Sequence, residues 1–577
     1  MRKLLLVILS LGLLLSLTGC PGTQEPAVTP QASPSPRPTP QEPEETVLEV
    51  CLGVEWYTID PTFINDEDTA SCALHLFEGL MKYVPSEEGT QVSQARVEYG
   101  MAEGYTVSED GLTYTFTLRK DAKWSDGAAV TAEDFVYAWR RVLEPDRTAS
   151  MEHARGGHVF SGLVKNAEQV ERGALAVTEL GVTALDARTL EVRLERPCTY
   201  FPKLCAAPSL VPLRQDVIEA YGGDWTDADK IVTNGPYRVT EWVHDDYLKM
   251  EQNPYYYDRD SLGPDTLVWQ FSDGEQLTLD AFQAGTYDLI ATFPEEQTAA
   301  LRESGVFHTQ PKAGTYYLYL NTDAIADWRV RAAMVLSVDR DAIAETLGGD
   351  VQPATGLVAA GIQDGTGGEF ASGGSGAAGA MFNWLQNWHQ DYDLSTYEGR
   401  CALAKTLYQD ALHAGSWHRS YQVSYCYNSS TMNRTVAQTC QKNWRDVLGL
   451  TVNLSVVDQS AYPSLLEDGG FGVAYLSWMP DYDDAQNFLQ LMESGSGYNY
   501  SNWKSPAFDD LMAQIGECLD VTQRDELQYY AEEQLFALGG FPVCPVLFYG
   551  ESYCASAELH DVAYSPFGYY IFSYAGK

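Results

Sequence analysis

Asp110-Gly111-Leu112-Thr113-Tyr114-Thr115-Phe116-Thr117-Leu118-Arg119, then Lys123-Trp124-Ser125-Asp126-Gly127, then Val130-Thr131-Ala132-Glu133-Asp134-Phe135-Val136-Tyr137-Ala138-Trp139, carry the pattern that decides the fold class. Tyr114, Phe116 and Leu118 alternate with threonines, the period of two of a strand buried on one face. Trp124-Ser125-Asp126-Gly127 breaks the run with turn chemistry. Thr131 suits an N-cap, and Phe135, Val136, Trp139, Val142 and Leu143 then fall on one helical face.

The same alternation extends in both directions. Leu190, Val192 and Leu194 read as one strand, and Val452, Leu454 and Val456 as another. Helical stretches are expected near 328–346, 400–413, 432–447 and 522–538, and no internal repeat appears. Strands and helices mixed over this length imply an α/β (mixed α+β) chain of several lobes. A Gly/Ala/Ser-rich segment at 361–380 reads as a surface loop or an insertion near a hinge.

The chain has 577 residues, too many for one hydrophobic core, and is 45% hydrophobic with 36 tyrosines. Tyrosine in excess suits a binding cleft, since it offers a flat apolar face with a polar tip. A formal net charge of −43 excludes nucleic acid and anionic membrane surfaces as partners. At the N-terminus Met1-Arg2-Lys3 precedes an apolar run from Leu4 to Leu17, which is short for a membrane span and reads as the core of a signal peptide. Leu17-Thr18-Gly19-Cys20 resembles a bacterial lipobox. That implies removal of 1–19 and diacylglycerol on the Cys20 sulfur, an anchor of about 0.8 kcal/mol per buried methylene. The remainder of 20–46, proline-rich and poor in bulky apolar residues, cannot build a core and reads as an extended tether. Ten further cysteines, without CxxC or zinc-like spacing, leave both disulfides and free thiols open.

Catalytic signatures are missing. Gly374-Ser375-Gly376-Ala377-Ala378-Gly379 matches GxGxxG in form but follows no strand, so it reads as a loop. No GxSxG elbow, HExxH or P-loop occurs. The nine histidines are scattered, and His413 and His418 are not at i,i+4 spacing. Asp481, Asp483 and Asp484 lack the glycine and glutamate that complete a calcium loop. The sequence therefore calls for no metal, no cofactor and no enzyme chemistry.

The quoted stretch resembles the signature of family 5 extracellular solute-binding proteins, the oligopeptide- and dipeptide-binding group of ABC importers. Further blocks match in order: Leu76-Phe77-Glu78-Gly79-Leu80, Thr233-Asn234-Gly235-Pro236-Tyr237 with Trp242, and Asn253-Pro254-Tyr255-Tyr256. Asn321, Val330-Arg331-Ala332-Ala333 with Asp339-Arg340, and Lys504-Ser505-Pro506-Ala507-Phe508-Asp509 continue the series. The resemblance spans roughly 47–575. It implies a class II periplasmic-binding-protein-like flytrap of two lobes with an additional N-terminal domain. Lobe I would comprise 47–78, 215–313 and 546–577, the additional domain 79–214, and lobe II 314–545. The lobes would close on ligand about two strand crossovers.

In the peptide-binding members an extended ligand pairs its main chain with strands of both lobes, and side chains enter roomy, hydrated pockets. By the resemblance, Asp481 of the Asp481-Tyr482 pair receives the ligand's α-ammonium. Ser477 and Met479 offer backbone groups, Trp478 and Tyr462 line pockets, and the loop Asn65, Asp66, Glu67 to Asp68 supplies the facing main chain. One departure stands out. The arginine and histidine that meet the ligand's carboxylate in oligopeptide binders align with Tyr475 and Asn433, with Arg434 adjacent. This raises the standing of longer, capped or cell-wall-derived peptides, and of a neutral solute such as an oligosaccharide. A peptide-signal receptor would share the fold, while an extracellular hydrolase has no visible nucleophile–base pair. The resemblance implies a monomeric lipoprotein on the outer face of the bacterial cytoplasmic membrane. Its partners would be a short peptide, an ABC permease and that permease's ATPase, with the membrane touched only through the lipid.

Overall fold

The computed structural model describes residues 45–64, 66–144, 162–373 and 380–577. Cys20, the signal peptide, most of the tether, Asn65 and the 374–379 glycine motif lie outside the described residues. The opening stretch folds as read. The strand Thr113–Leu118 buries Tyr114, Phe116 and Leu118 and pairs with Ala102–Val107 and Thr189–Arg193. Gly127 takes φ +89°, a left-handed value that costs glycine little. Asp134 accepts from the Thr131 N–H at 2.7 Å, which closes the first turn of the helix Ala132–Val142. Phe135, Val136, Trp139 and Val142 are buried along it.

One eleven-stranded sheet organises the rest. Its order is Thr451–Val457, Gln422–Asn428, Val473–Trp478, Phe307–Leu320, Val543–Ala555, Leu289–Ile290, Val47–Cys51, Thr266–Gln270, Tyr247–Gln252, Tyr237–Val243, with Gln352–Pro353 paired to Val543–Ala555 off that path. Two long central strands, Phe307–Leu320 and Val543–Ala555, run through both halves. They pair antiparallel from Phe307↔Cys554 to Pro311↔Gly550, then lose register, and pair again from Thr315↔Phe548 to Tyr319↔Val543. Lys312, Ala313 and Gly314 occupy the break.

The apolar residues divide at that break. One core draws on chain from Leu48 to Leu289 and again from Tyr553 to Ala575, and includes Val50, Phe77, Trp124, Trp139 and Trp269. A second runs from Ala313 to Phe548 and includes Tyr317, Val335, Leu403, Trp444 and Val473. The fold is thus two-lobed, joined by two strands.

Three details differ from, or complete, the sequence reading. The expected helix at 328–346 is two, Trp328–Leu336 and Arg340–Leu347, because the Asp339 carboxylate accepts from the Ala342 N–H at 3.2 Å and starts a new helix. All ten described cysteines are free, so no disulfide links them. Of the Gly/Ala/Ser-rich segment, Ile362 and Phe370 are buried and Gly361 packs near Gln94, which ties its start to the first core. No described helix is long and apolar enough to cross a membrane.

Candidate functional site

Between the two cores, against the strand break, lies a cleft of about 790 Å³. The first lobe lines it with Asp66, Glu67, Asp68 and Ala70, with Glu551, and with Tyr83, Tyr200 and Lys203. The second lines it with the loop Met479-Pro480-Asp481-Tyr482-Asp483. Lys312 and Ala313, in the break itself, close the back. Gly314 beside them leaves room for the Met479 side chain, whose sulfur would lie 2.3 Å from a Cβ there.

The first wall is the start of the helix Glu67–Leu76. Asp66 is its N-cap, accepting from the Thr69 N–H at 2.8 Å and the Thr69 hydroxyl at 2.6 Å. Glu67 and Glu551 share Lys312, at 2.5 and 3.2 Å. Burial alone would lower the Lys312 pKa, but Glu551 and Glu67 outweigh it and hold the ammonium charged. Asp68 makes no hydrogen bond or ion pair among the described residues. Its pKa is pushed up to about 6, first by burial and then by Asp66, Glu551 and Glu67, with Lys312 opposing. Gly53 leaves the room that carboxylate fills, because a Cβ there would meet its Oδ2 at 2.6 Å.

The second wall is the end of the strand Val473–Trp478 and the loop after it. Asp481 is exposed, and among the described residues its carboxylate accepts a hydrogen bond from Asn487 alone, Nδ2 donating to Oδ2 at 3.3 Å. Tyr482 stacks on Tyr200 at 4.3 Å between centroids and 6° between planes. Asp483 pairs with Lys203 at 3.1 Å and accepts from the Gln363 N–H at 2.8 Å, while burial raises its pKa. The strand pairs with Gln422–Asn428 only at Val473 and Ala474. Past Tyr475, whose N–H and C=O are both taken by the Tyr462 hydroxyl at 2.9 Å, no described strand covers that edge. Met479, just past that edge, lines the cleft, and an uncovered strand edge can receive an extended chain.

Of the residues singled out from sequence, Asp66, Glu67, Met479, Asp481 and Tyr482 line the cleft. The other described ones are not among its lining residues. Trp478 donates to Asn487 Oδ1 at 2.7 Å and packs edge-on to Tyr498. Ser477 bonds the Tyr549 hydroxyl at 2.7 Å. Tyr462 is buried against Tyr475. Asn433 is buried against Asn428, and the Tyr475 hydroxyl joins the same polar group. Arg434, one residue on along the helix, is exposed. Asp68, the end of the named loop, lines the cleft as well. Lys203, Lys312, Tyr200 and Glu551 were not singled out, and nothing in the sequence marked them.

This geometry and its sequence signature belong to a class of proteins that close on a solute. Residues 96–500 match the model of bacterial extracellular solute-binding proteins, family 5 Middle, and the chain belongs to that family. The periplasmic oligopeptide-binding protein OppA of Escherichia coli K12 is 31% identical over 489 residues, 84% of each chain. The probable deoxycholate-binding periplasmic protein YgiS of the same strain is 30% identical over 479 residues, 82% of this chain and 83% of that one. The structure superposes on the unliganded open form of the periplasmic murein tripeptide-binding protein MppA with a TM-score of 0.77, at 28% identity, covering 91% of this chain and 97% of that one. Against another structure of MppA, from Escherichia coli, the score is 0.59, at 27% identity, covering 91% and 98%. Identity and coverage barely change between the two. The better superposition is the one on the unliganded open form.

Proposed function

We propose that this protein is the extracytoplasmic substrate-binding lipoprotein of an ABC importer, capturing short peptides between its lobes and delivering them to a membrane permease. The observation that carries this reading is the cleft, which sets an unneutralised Asp481 on one rim and the start of a helix on the other. A peptide's α-ammonium would meet Asp481, a charge-assisted contact of about 1.5–3 kcal/mol. Its main chain would lie along the uncovered edge beyond Tyr475, near Ser477 and Met479, and face the main chain of Asp66 and Glu67. Closure then follows from ligand contacts made with both lobes at once. In this reading the protein turns nothing over, acts as a monomer, needs no metal or cofactor, and hangs from the outer face of the cytoplasmic membrane by a lipid on Cys20. The separate cores support lobe boundaries near those expected, 47–78, 215–313 and 546–577 for lobe I with 79–214 as its added domain, and 314–545 for lobe II.

A second reading keeps the fold and changes the solute. Tyr475 and Asn433 bring no charge to the place where a carboxylate would be met, which favours a neutral ligand such as an oligosaccharide. Native mass spectrometry of the chain beginning after Cys20, followed by mild release of what co-purifies, separates the two. A ladder of masses that fragment as peptides supports the first reading. A single non-peptide mass replaces it with the second.

A further inference from the structure

Six carboxylates line the cleft, Asp66, Glu67, Asp68, Asp481, Asp483 and Glu551, against two lysines, Lys203 and Lys312. Both lysines are already engaged, Lys203 by Asp483 and Lys312 by Glu67 and Glu551. Asp66 is occupied as a helix cap. Among the described residues two carboxylates remain with no cation, one on each wall: Asp481 and Asp68. The first has its place in the peptide reading. Asp68 has none, yet it stands half-buried in the cleft with Asp66, Glu67 and Glu551 around it and only Lys312 of opposite sign. A carboxylate among like charges in a partly dry site gains most from a cation that arrives with the ligand.

We infer that Asp68, backed by Glu67 and Glu551, is a second cation-binding subsite on the first lobe, selecting peptides that carry a lysine or arginine side chain in addition to their α-ammonium. This rests on the peptide reading and narrows it. The ligand is then held by charge from both lobes, Asp481 from one and Asp68 from the other, and an ion pair with each lobe is completed only when they close. No large loss follows from the missing arginine and histidine, because the cleft recognises its ligand's positive charge rather than its carboxylate. Lys312, shared between Glu67 and Glu551, keeps the excess negative charge from splaying the wall in the open form.

The test uses the whole chain after Cys20 and alanine peptides of two to five residues, each with a single lysine at one position, against the same peptides with norleucine there. Norleucine keeps the chain length and removes the charge. Calorimetry at pH 7.5 is expected to show the best lysine position favoured by about ten- to a hundredfold, the range of a charge-assisted contact in a desolvated site. Asp68→Asn is expected to abolish that preference, so that lysine and norleucine peptides bind the variant alike. If Asp68→Asn does not fold, the unaltered protein still decides. The groups facing Asp68 are Asp66, Glu67, Glu551 and Lys312, with Cys51 and Tyr570 beyond. Its carboxyl titrates near 6, so the lysine preference is full above that pH and fades as pH falls through it. Lysine and norleucine peptides binding alike overturns the subsite and leaves the peptide reading standing. Binding of neither series overturns both.

Discussion

The first lobe's wall of the cleft and the second lobe's core use their charged residues in opposite ways. The first lobe sets its carboxylates at the cleft, where Asp66, Glu67, Asp68 and Glu551 crowd one shared lysine. The second lobe buries its charge and spends it on structure. Asp484 and Arg524 form a buried pair at 2.5 Å, joined by Gln486 at 2.8 Å and Gln528 at 2.6 Å. Arg331 and Arg340 are held by backbone carbonyls, and Glu532 by the N–H groups of Leu357 and Val358. A charge left short of partners at a cleft is available to a ligand, whereas a charge saturated inside a core fixes the chain around it.

The largest expected effect breaks the second lobe's side of that contrast. Asp484 ends the loop that carries Asp481, so removing its buried partner unsettles the cleft wall as well as the core. Arg524→Met is expected to cost about 3–5 kcal/mol of stability, the usual price of one buried charge left alone, read by urea denaturation. A loss below about 1 kcal/mol would mean that water reaches Asp484 and that the pair is not structural.

Acid separates the lobes by sign. His75, in the first core, donates from Nδ1 to the Ser71 carbonyl at 2.7 Å and accepts the Phe572 N–H on Nε2 at 2.8 Å, so only the neutral ring fits. Burial lowers its pKa from the usual 6.5 to about 4. Its stabilising contribution is full above 6.5 and falls away as pH drops through about 4, by about 3 kcal/mol. Glu532 in the second core runs the other way. Burial pushes its carboxyl from 4.5 up to about 7, so its contribution is full below 4.5 and lost as pH rises through 7. At pH 8, Glu532→Gln, which keeps the acceptor oxygen, is expected to raise stability by up to about 3 kcal/mol, with the gain gone by pH 4. Between pH 7 and 4, the protein is expected to lose about the same amount relative to His75→Gln. Parallel slopes for the two variants would erase the contrast. Next in size comes Asp481→Ala, expected to weaken peptides with a free amino terminus by about 1.5–3 kcal/mol and to spare amino-acetylated ones. Equal affinity for both forms would remove Asp481 from recognition.

How much of this was legible follows from the range of each signal. The strand at Thr113–Leu118 and the helix after Thr131 are local, set by alternation, a turn glycine and a cap, and the sequence shows them directly. Leu76–Leu80, Thr233–Tyr237 and Asn253–Tyr256 also stood out, but as scaffold. They meet where Asn234 bonds the Glu78 backbone at 2.8 and 3.2 Å, and Tyr256 and Tyr257 donate to its carboxylate at 2.5 and 2.8 Å. Asp481 and Tyr482 stood out at the cleft because they end a strand. Lys312 carried no such signal. Its partners lie 245 and 239 residues away, and only the strand break brings them together. The split at Ser337–Asp339 was missed because both residues are tolerated within a helix, and only the new cap at Asp339 shows that the chain restarts.

The smallest effect tests whether the walls touch as part of the hinge or as a brake on closing. Tyr200 and Tyr482 stack across the lobes, and the next residue, Asp483, reaches Lys203 at 3.1 Å. Both contacts belong to the loop that begins with Met479, which packs on Gly314 in the strand break. Displacement about a hinge is least near its axis, so these contacts are expected to persist in the closed form. Tyr200→Leu then removes a ring pair worth about 0.5–1.5 kcal/mol from both states equally. The thermal midpoint should fall, while peptide affinity stays within about twofold. If the stack existed only in the open form, a loss of about 1.4 kcal/mol there would shift the balance toward closure and tighten binding about tenfold. Tighter binding by Tyr200→Leu would therefore make the aromatic pair a brake that the ligand must overcome, and unchanged binding makes it part of the pivot.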